Sequence, residues 1–146
     1  MNQDLYNYMQ PRLKENSFIQ FIGLELDDID KGFAQMHINI QPHHMQHTGF
    51  THGGVTATIC DVVTGISAYT VAHQGLNVVT VDLKVSYVNP STAPMQKAVG
   101  RVKKGGKTLI FCEGEVYDVF PNGDEKLVAT CVSIMAAIDV PLVPAK

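Results

Sequence analysis

Charge is what this chain has least of. Only 17% of its 146 residues are charged, and 11 Lys and Arg against 14 Asp and Glu leave a formal balance of −3. A nucleic-acid surface normally needs a basic excess, so no nucleic-acid partner is expected. The one basic cluster, "RVKKGGK" at 101–107, is too short for a duplex but adequate for a few phosphates. Long apolar runs are lacking too. Asp61 and Asp82 interrupt the best stretches, so no membrane-spanning segment is expected. The opening "MNQDLYNYMQPRLKENSF" has no basic region leading into an apolar one, which argues against a secretory signal. The three cysteines, Cys60, Cys112 and Cys131, are odd in number and lack C-x-x-C spacing. They read as buried thiols of a cytoplasmic protein, not as metal or redox ligands.

Internal repeats, low-complexity segments and Ser/Gly-rich linkers are absent as well. The length therefore predicts one domain, 1–146, large enough to bury a real core. Hydrophobic residues make up 45% of the chain, a globular composition. "DLYNYMQPRLKEN" predicts one or two short helical turns broken at Pro11, and "FIQFIGLELDDID" a strand ending at an acidic turn. "GFAQMHINI" alternates as a half-buried strand does, and "QPHHMQHTG" reads as a loop. "GGVTATICDVVTGISAYTVA" is too long for a strand and apolar nearly all round, which predicts one buried helix from about His52–Gly54 to about Ala72. Then come "LNVVTVDLKVSYV", "QKAVGRVKKG", "KTLIFCEGEVYDV" and "KLVATCVSIMAAI", four strands with turns at "PSTAP" and "PNGD". The fold class is α+β, an antiparallel sheet of five or six strands wrapped around one long central helix.

The stretch "THGGVTATICD" at 51–61 carries the chemistry. A helix start leaves backbone N–H groups unpaired and bears partial positive charge. Gly53 and Gly54 let a ligand approach those groups closely, as an oxyanion site requires. Asp61, between Thr58 and Thr64, is a candidate base or nucleophile. From His52 to Asp61 the helix turns about 900° and rises roughly 13 Å, so the two point to opposite faces. One chain cannot aim both at a single small substrate, whereas two chains about a two-fold axis can. The plainer alternatives stand beside this one: a tight turn into a helix, a capping or core His52, and a structural Asp61 bonded to Thr58.

With "QHTGFTHGGVTATICD", "VVTVDLKVSYVNP", "VKKGGKTLIFCEGEV" and "LVATCVSIMA" in this order, the chain resembles the hotdog-fold acyl-CoA thioesterases. The PaaI-like and hydroxybenzoyl-CoA thioesterase branches are the most similar, and the likeness runs from about Phe18 to Ala137. The resemblance implies that Asp61 is the catalytic carboxylate, nucleophile or general base, and that the Gly53 N–H polarises the thioester carbonyl. It implies that His52 orients the site, that Gln46 positions the carbonyl or the attacking water, and that Thr80, after a one-residue shift, helps hold that water. Tyr87 and Lys104 match positions that contact the CoA nucleotide in relatives. With Gly54 they form the substrate-binding set, together with Gly105, Gly106 and Lys107 of the basic hairpin. The implied substrate is a small aryl- or fatty-acyl-CoA, with Val62, Ile66, Phe50 and Phe33 candidates for the acyl pocket. The implied assembly is a homodimer with sites at its interface, pairing again into a homotetramer. No cofactor is expected, and no metal, since His43, His44 and His47 lack a cysteine or carboxylate at ligand spacing. A hotdog dehydratase and a non-catalytic acyl-CoA binder are the alternatives. The first needs a His-and-acid arrangement not found here, and Asp61 argues against the second.

Overall fold

The computed structural model describes residues 1–73 and 75–140. It holds three α-helices, α1 (Gln3–Glu15), α2 (Ser17–Ile22) and α3 (Gly53–Tyr69). The strands are β1 (Leu24–Asp30), β2 (Phe33–Asn39), β3 (Asn77–Tyr87), β4 (Met95–Gly105), β5 (Leu109–Val119) and β6 (Glu125–Ile138). All six strands join one antiparallel sheet in the order β1-β2-β4-β5-β6-β3. Among the described residues no helix is long and apolar enough to cross a membrane.

The sheet curls around α3, whose buried face carries Thr56, Ile59, Cys60, Val63, Thr64 and Ser67 at helical spacing. Two of these polar side chains bond within the helix, Thr64 Oγ1 to the Cys60 carbonyl (2.8 Å) and Ser67 Oγ to the Val63 carbonyl (2.8 Å), so they can be buried cheaply. Small residues let the helix approach the sheet closely. Gly100 and Gly114 are cross-strand partners of β4 and β5, directly under the helix. A Cβ on Gly100 would lie 2.6 Å from both Ser67 Oγ and the Val63 carbonyl oxygen. The core closes with Ile29, Met36, Ile38, Ile59, Val63 and Val116, all fully buried.

Two N-terminal expectations are corrected. α1 is one continuous helix with Pro11 inside it, capped by the Asn2 side chain on the Leu5 N–H. Both Pro11 and Asn7, whose carbonyl loses its donor, are exposed, so the unpaired carbonyl is open to solvent. "FIQFI" is helical and not the beginning of a strand. Asn16 caps it through the Ile19 N–H (3.1 Å), Gly23 closes it at φ 71°, and Ile19 and Ile22 are buried while Phe18 and Phe21 are exposed. That is a spacing of three, which belongs to a helix. The long helix stops at Tyr69, three residues before the expected end, and Thr70–Ala72 continue as a turn.

Candidate active site

The loop before α3 folds back on itself and fixes the helix start. Pro42–His44 form one 3₁₀ turn, Met45 bridges Thr51, and the Gln46 N–H donates to the Phe50 carbonyl (2.9 Å). The His52 N–H donates to the His44 carbonyl (2.8 Å), which holds His52 in the extended conformation of an N-cap. Its Nδ1 accepts the Gly54 N–H at 2.9 Å, so the neutral ring carries its proton on Nε2. The Val55 and Thr56 N–H groups donate to the His52 carbonyl. Of the first helical N–H groups only that of Gly53 finds no acceptor among the described residues. The capping reading of His52 is thus correct. The Gly54 N–H is spent on the cap, while Gly54 itself lines the cavity beside the helix start.

Tyr87, at the end of β3, covers the other side of the helix start. Its hydroxyl donates to the Gly53 carbonyl at 2.7 Å, and burial pushes the phenol up from its ordinary range, with a smaller push from Cys60. A Cβ on Gly53 would touch the Tyr87 ring at 3.4 Å. Gln46, Phe50, Gly53 and Tyr87 line a cavity of about 520 Å³, with Thr51, Thr56, Ser91 and Val128 deeper in its wall. Of the expected acyl-pocket residues Phe50 is here. Ile66 is buried in the core, Val62 packs against that core, and Phe33 lies on β2 beneath the Arg101 guanidinium, so those three lie outside this single-chain cavity.

Asp61 lies two turns further along α3, half-buried. Thr80 Oγ1 donates to its Oδ1 at 2.6 Å. Thr58 and Thr64, the partners expected from helical spacing, turn elsewhere. Thr58 bonds the Gly54 carbonyl, and Thr64 the carbonyls of Cys60 and Asp61. The neighbouring Cys60 thiol is pushed up, first by its hydrogen bond to Cys131 and then by burial, which disfavours a thiolate nucleophile. The structure therefore brings Thr80 to Asp61, and Tyr87 and Gln46 to Gly53, as two separate groups on one helix.

The basic hairpin lies at the far end. A Cβ on Gly105 would approach Val71, just past the C-terminus of α3, whereas Tyr87 meets its N-terminus. The 17 residues of α3 separate the two by about 25 Å. Lys104 and Lys107 are exposed, Lys103 pairs with Glu113 at 3.0 Å, and the Gly106 N–H closes the turn onto the Leu109 carbonyl. An anion-binding Gly106 N–H is thus corrected, and Tyr87 belongs to the cavity and not to this hairpin. No cluster of three metal-ligating side chains occurs among the described residues.

Sequence reasoning missed a buried polar network behind the cavity. It joins Thr51, Thr56, Ser91, Gln96 and Asp118, all below a tenth exposed. The signal for it was Asp118 itself. Ile110, Cys112, Gly114 and Val116 alternate along the buried face of β5, and Asp118 occupies the next inward position.

The chain matches the family model described as Thioesterase superfamily over residues 48–120. It is 27% identical over 113 residues to acyl-coenzyme A thioesterase 13 of Homo sapiens, covering 76% of this chain and 80% of that one. It is 25% identical over 131 residues to the medium/long-chain acyl-CoA thioesterase YigI of Salmonella typhimurium, covering 80% and 82%. Its fold superposes on the E. coli PaaI protein with a TM-score of 0.81 at 18% identity, covering 93% and 94%. The antiparallel sheet wrapped around one long helix is thus that of a hotdog protein, and the chain belongs to the thioesterase superfamily of thioester hydrolases.

Proposed function

We propose that the chain hydrolyses acyl-CoA thioesters, with small aryl or fatty acyl groups, at a site completed by a second copy of itself. The observation that carries this reading is the course of β3. This strand runs antiparallel to α3 at the sheet edge, with Thr80 bonded to Asp61 and Tyr87 bonded to Gly53. Its one neighbour is β6, and Val79 (44% exposed) and Val81 (58%) lie open along it. An antiparallel copy of β3 added to this edge, with its two-fold at Lys84 once the bulge between Thr80 and Asp82 is counted, sets Thr80 opposite the partner's Tyr87. Cross-strand neighbours lie about 5 Å apart, so Asp61 then faces the partner's Gly53 N–H. The gap of roughly 12 Å between Gly53 and Asp61 within one chain is thereby bridged.

At such a site the Gly53 N–H donates to the thioester carbonyl and holds the oxyanion as it develops. Asp61 of the other chain, oriented by the Thr80 hydroxyl, attacks the carbonyl carbon or removes a proton from an attacking water. Gln46 positions the carbonyl or that water. The C–S bond breaks, the water oxygen ends on the acyl carbon, and the thiolate leaves to take up a proton as CoA. Lys104 and Lys107 lie beyond Asp61 on the same chain, where they can meet the nucleotide phosphates of a CoA lying across the two-fold. Pairing of dimers into a tetramer and a cytoplasmic location complete the reading; the three buried free thiols suit a reducing compartment.

The test is release of CoA thiol from a panel of acyl-CoAs, followed by complementation. Asp61→Asn and Gly53→Pro (which deletes the N–H) are each expected to be inactive. Their heterodimers hold one intact site, so re-forming dimers from the mixture restores part of the activity. Heterodimers that form and fold without recovery would sink the shared site. A chain that binds acyl-CoA without releasing thiol would be a binder and not a hydrolase.

A further inference from the structure

Asp118 is fully buried on β5, opposite Gln96 of β4, and its carboxylate meets three donors. Ser91 Oγ lies 2.6 Å from Oδ1, and the N–H groups of Thr92 and Ala93 reach Oδ2 at 2.7 and 3.1 Å. Ser91 in turn receives Gln96 Nε2 at 2.8 Å and lies 3.1 Å from Thr51 Oγ1. Thr51 and Ser91 stand side by side in the wall of the cavity at the helix start, and the Thr51 N–H also donates to the Ser91 carbonyl (3.1 Å). One buried carboxylate thus stands behind both residues.

Proton counting fixes the direction of this chain. A carboxylate accepts only, so the single Ser91 proton goes to Asp118, the shorter and charge-assisted bond. The two Ser91 lone pairs are then filled by Gln96 N–H and by the Thr51 hydroxyl. Thr51 must therefore donate inward, and what it presents to the cavity is a lone pair. No other group among the described residues donates to it.

We propose that Asp118, without touching substrate, is a specificity-determining positioning residue. By ordering these hydroxyls it makes the Thr51 oxygen an acceptor, and so selects acyl groups that carry a hydroxyl or N–H donor where they meet Thr51. Asp118→Asn reverses the order. The Thr92 and Ala93 N–H groups require the amide oxygen, which turns the amide NH₂ toward Ser91. Ser91 Oγ then accepts from Asn and from Gln96, its own proton turns to Thr51, and the Thr51 proton is released toward the cavity. A purely structural Asp118 would affect all acyl groups alike.

The inference rests on the acyl-CoA reading, and the experiment separates the two. ω-Hydroxyacyl-CoAs of four, six and eight carbons are compared with their ω-methoxy counterparts, by kcat/KM and by calorimetric dissociation constants. At the length that reaches Thr51, wild type favours the hydroxyl by about fivefold or more, the worth of one hydrogen bond. Thr51→Val sets the residual preference due to size alone. Asp118→Asn brings the ratio to that residual value or below it, and Ser91→Ala, which frees the Thr51 hydroxyl to rotate, does the same should Asp118→Asn not fold. A wild-type ratio equal to that of Thr51→Val at every length overturns the proposal, as does a ratio unchanged in the folded Asp118→Asn or Ser91→Ala variant. Absence of thiol release with the same ratio in dissociation constants would overturn the hydrolase reading and leave this one standing.

Discussion

Replacing Asp61 by Asn separates chemistry from architecture at the point where the two are most easily confused. The carboxylate is half-buried and among the described residues accepts one hydrogen bond, from Thr80 Oγ1 at 2.6 Å. Asn keeps the volume and keeps an oxygen for that hydroxyl, so the bond survives in neutral form. The difference between a charge-assisted and a neutral bond is about 1 kcal/mol, and less at a half-exposed site. For a chain of this size that corresponds to a fall in Tm of no more than about 2–4 °C. The loss of base or nucleophile is larger, a 10²–10⁴-fold drop in kcat, or roughly 2.7–5.4 kcal/mol of barrier. The assay pairs thiol release under saturating acyl-CoA with calorimetric unfolding and light scattering on the same preparation. The expected variant is dimeric, melts within a few degrees of wild type, keeps its KM and loses kcat. Retained kcat per folded molecule would refute a chemical role for Asp61. A fall in Tm beyond about 10 °C would show that the carboxylate holds the fold in a way the Thr80 bond does not explain.

Other substitutions test other parts of the argument. Gly100→Ala drives a Cβ to 2.6 Å from Ser67 Oγ and the Val63 carbonyl, and overpacking of this kind costs about 1–3 kcal/mol, whereas Gly65→Ala, whose Cβ meets only Met135 Cε at 3.9 Å, stabilises α3 by up to about 1 kcal/mol; chemical denaturation should give opposite signs. Lys104→Ala is expected to raise KM for acyl-CoA several-fold and to leave a short thioester lacking the nucleotide nearly unaffected, and equal effects on both would count against the hairpin. Burial pushes the Cys112 thiol up to about 11, so at pH 8 only about one molecule in a thousand carries the thiolate; a disulfide reagent should label it only on unfolding, and rapid labelling of the native chain would contradict that burial. The same shift favours the protonated thiol in the folded state, so its contribution to stability holds below the ordinary thiol range and is lost as pH rises through about 11. Dilution should lower specific activity along the same midpoint as the mass seen by light scattering, and a fully active monomer would remove the shared site.

Much of the sheet was legible because each of β2, β4, β5 and β6 buries one face, and alternation is what burial of one face writes into a sequence. "FIQFI" was not, because five residues are too few for alternation and helical period to part company; Asn16 and Gly23, the actual cap and stop, were the better signals. Along the long helix the periodicity placed Asp61 and the glycines correctly but could not say which threonine bonds the carboxylate. Helical spacing favoured Thr58 and Thr64, yet a threonine hydroxyl in a helix has the carbonyl of the preceding turn within reach and takes it first. Thr80 comes from a strand, and the one-residue shift needed to place it falls where β3 itself shifts register, at the bulge between Thr80 and Asp82.

That bulge also bears on why the proposed site stands at a sheet edge. An open edge strand with exposed valines is a liability that natural sheets cover, charge or twist away. Here Asp82 and Lys84 supply charge on β3, but Val79 and Val81 remain open beside Thr80. On the proposed pairing, covering those valines and bringing Asp61 to the partner's Gly53 N–H are the same event. A Cβ on Gly53 would rest against Tyr87 at 3.4 Å, and Tyr87 is in turn the residue that the proposed pairing sets opposite Thr80. The tyrosine bonded to the Gly53 carbonyl and the threonine bonded to Asp61 thus stand on one strand, each beside a group of α3 that the proposed site uses. Their separation of seven residues on β3, six pairing steps once the bulge is counted, sets the register of the proposed pairing.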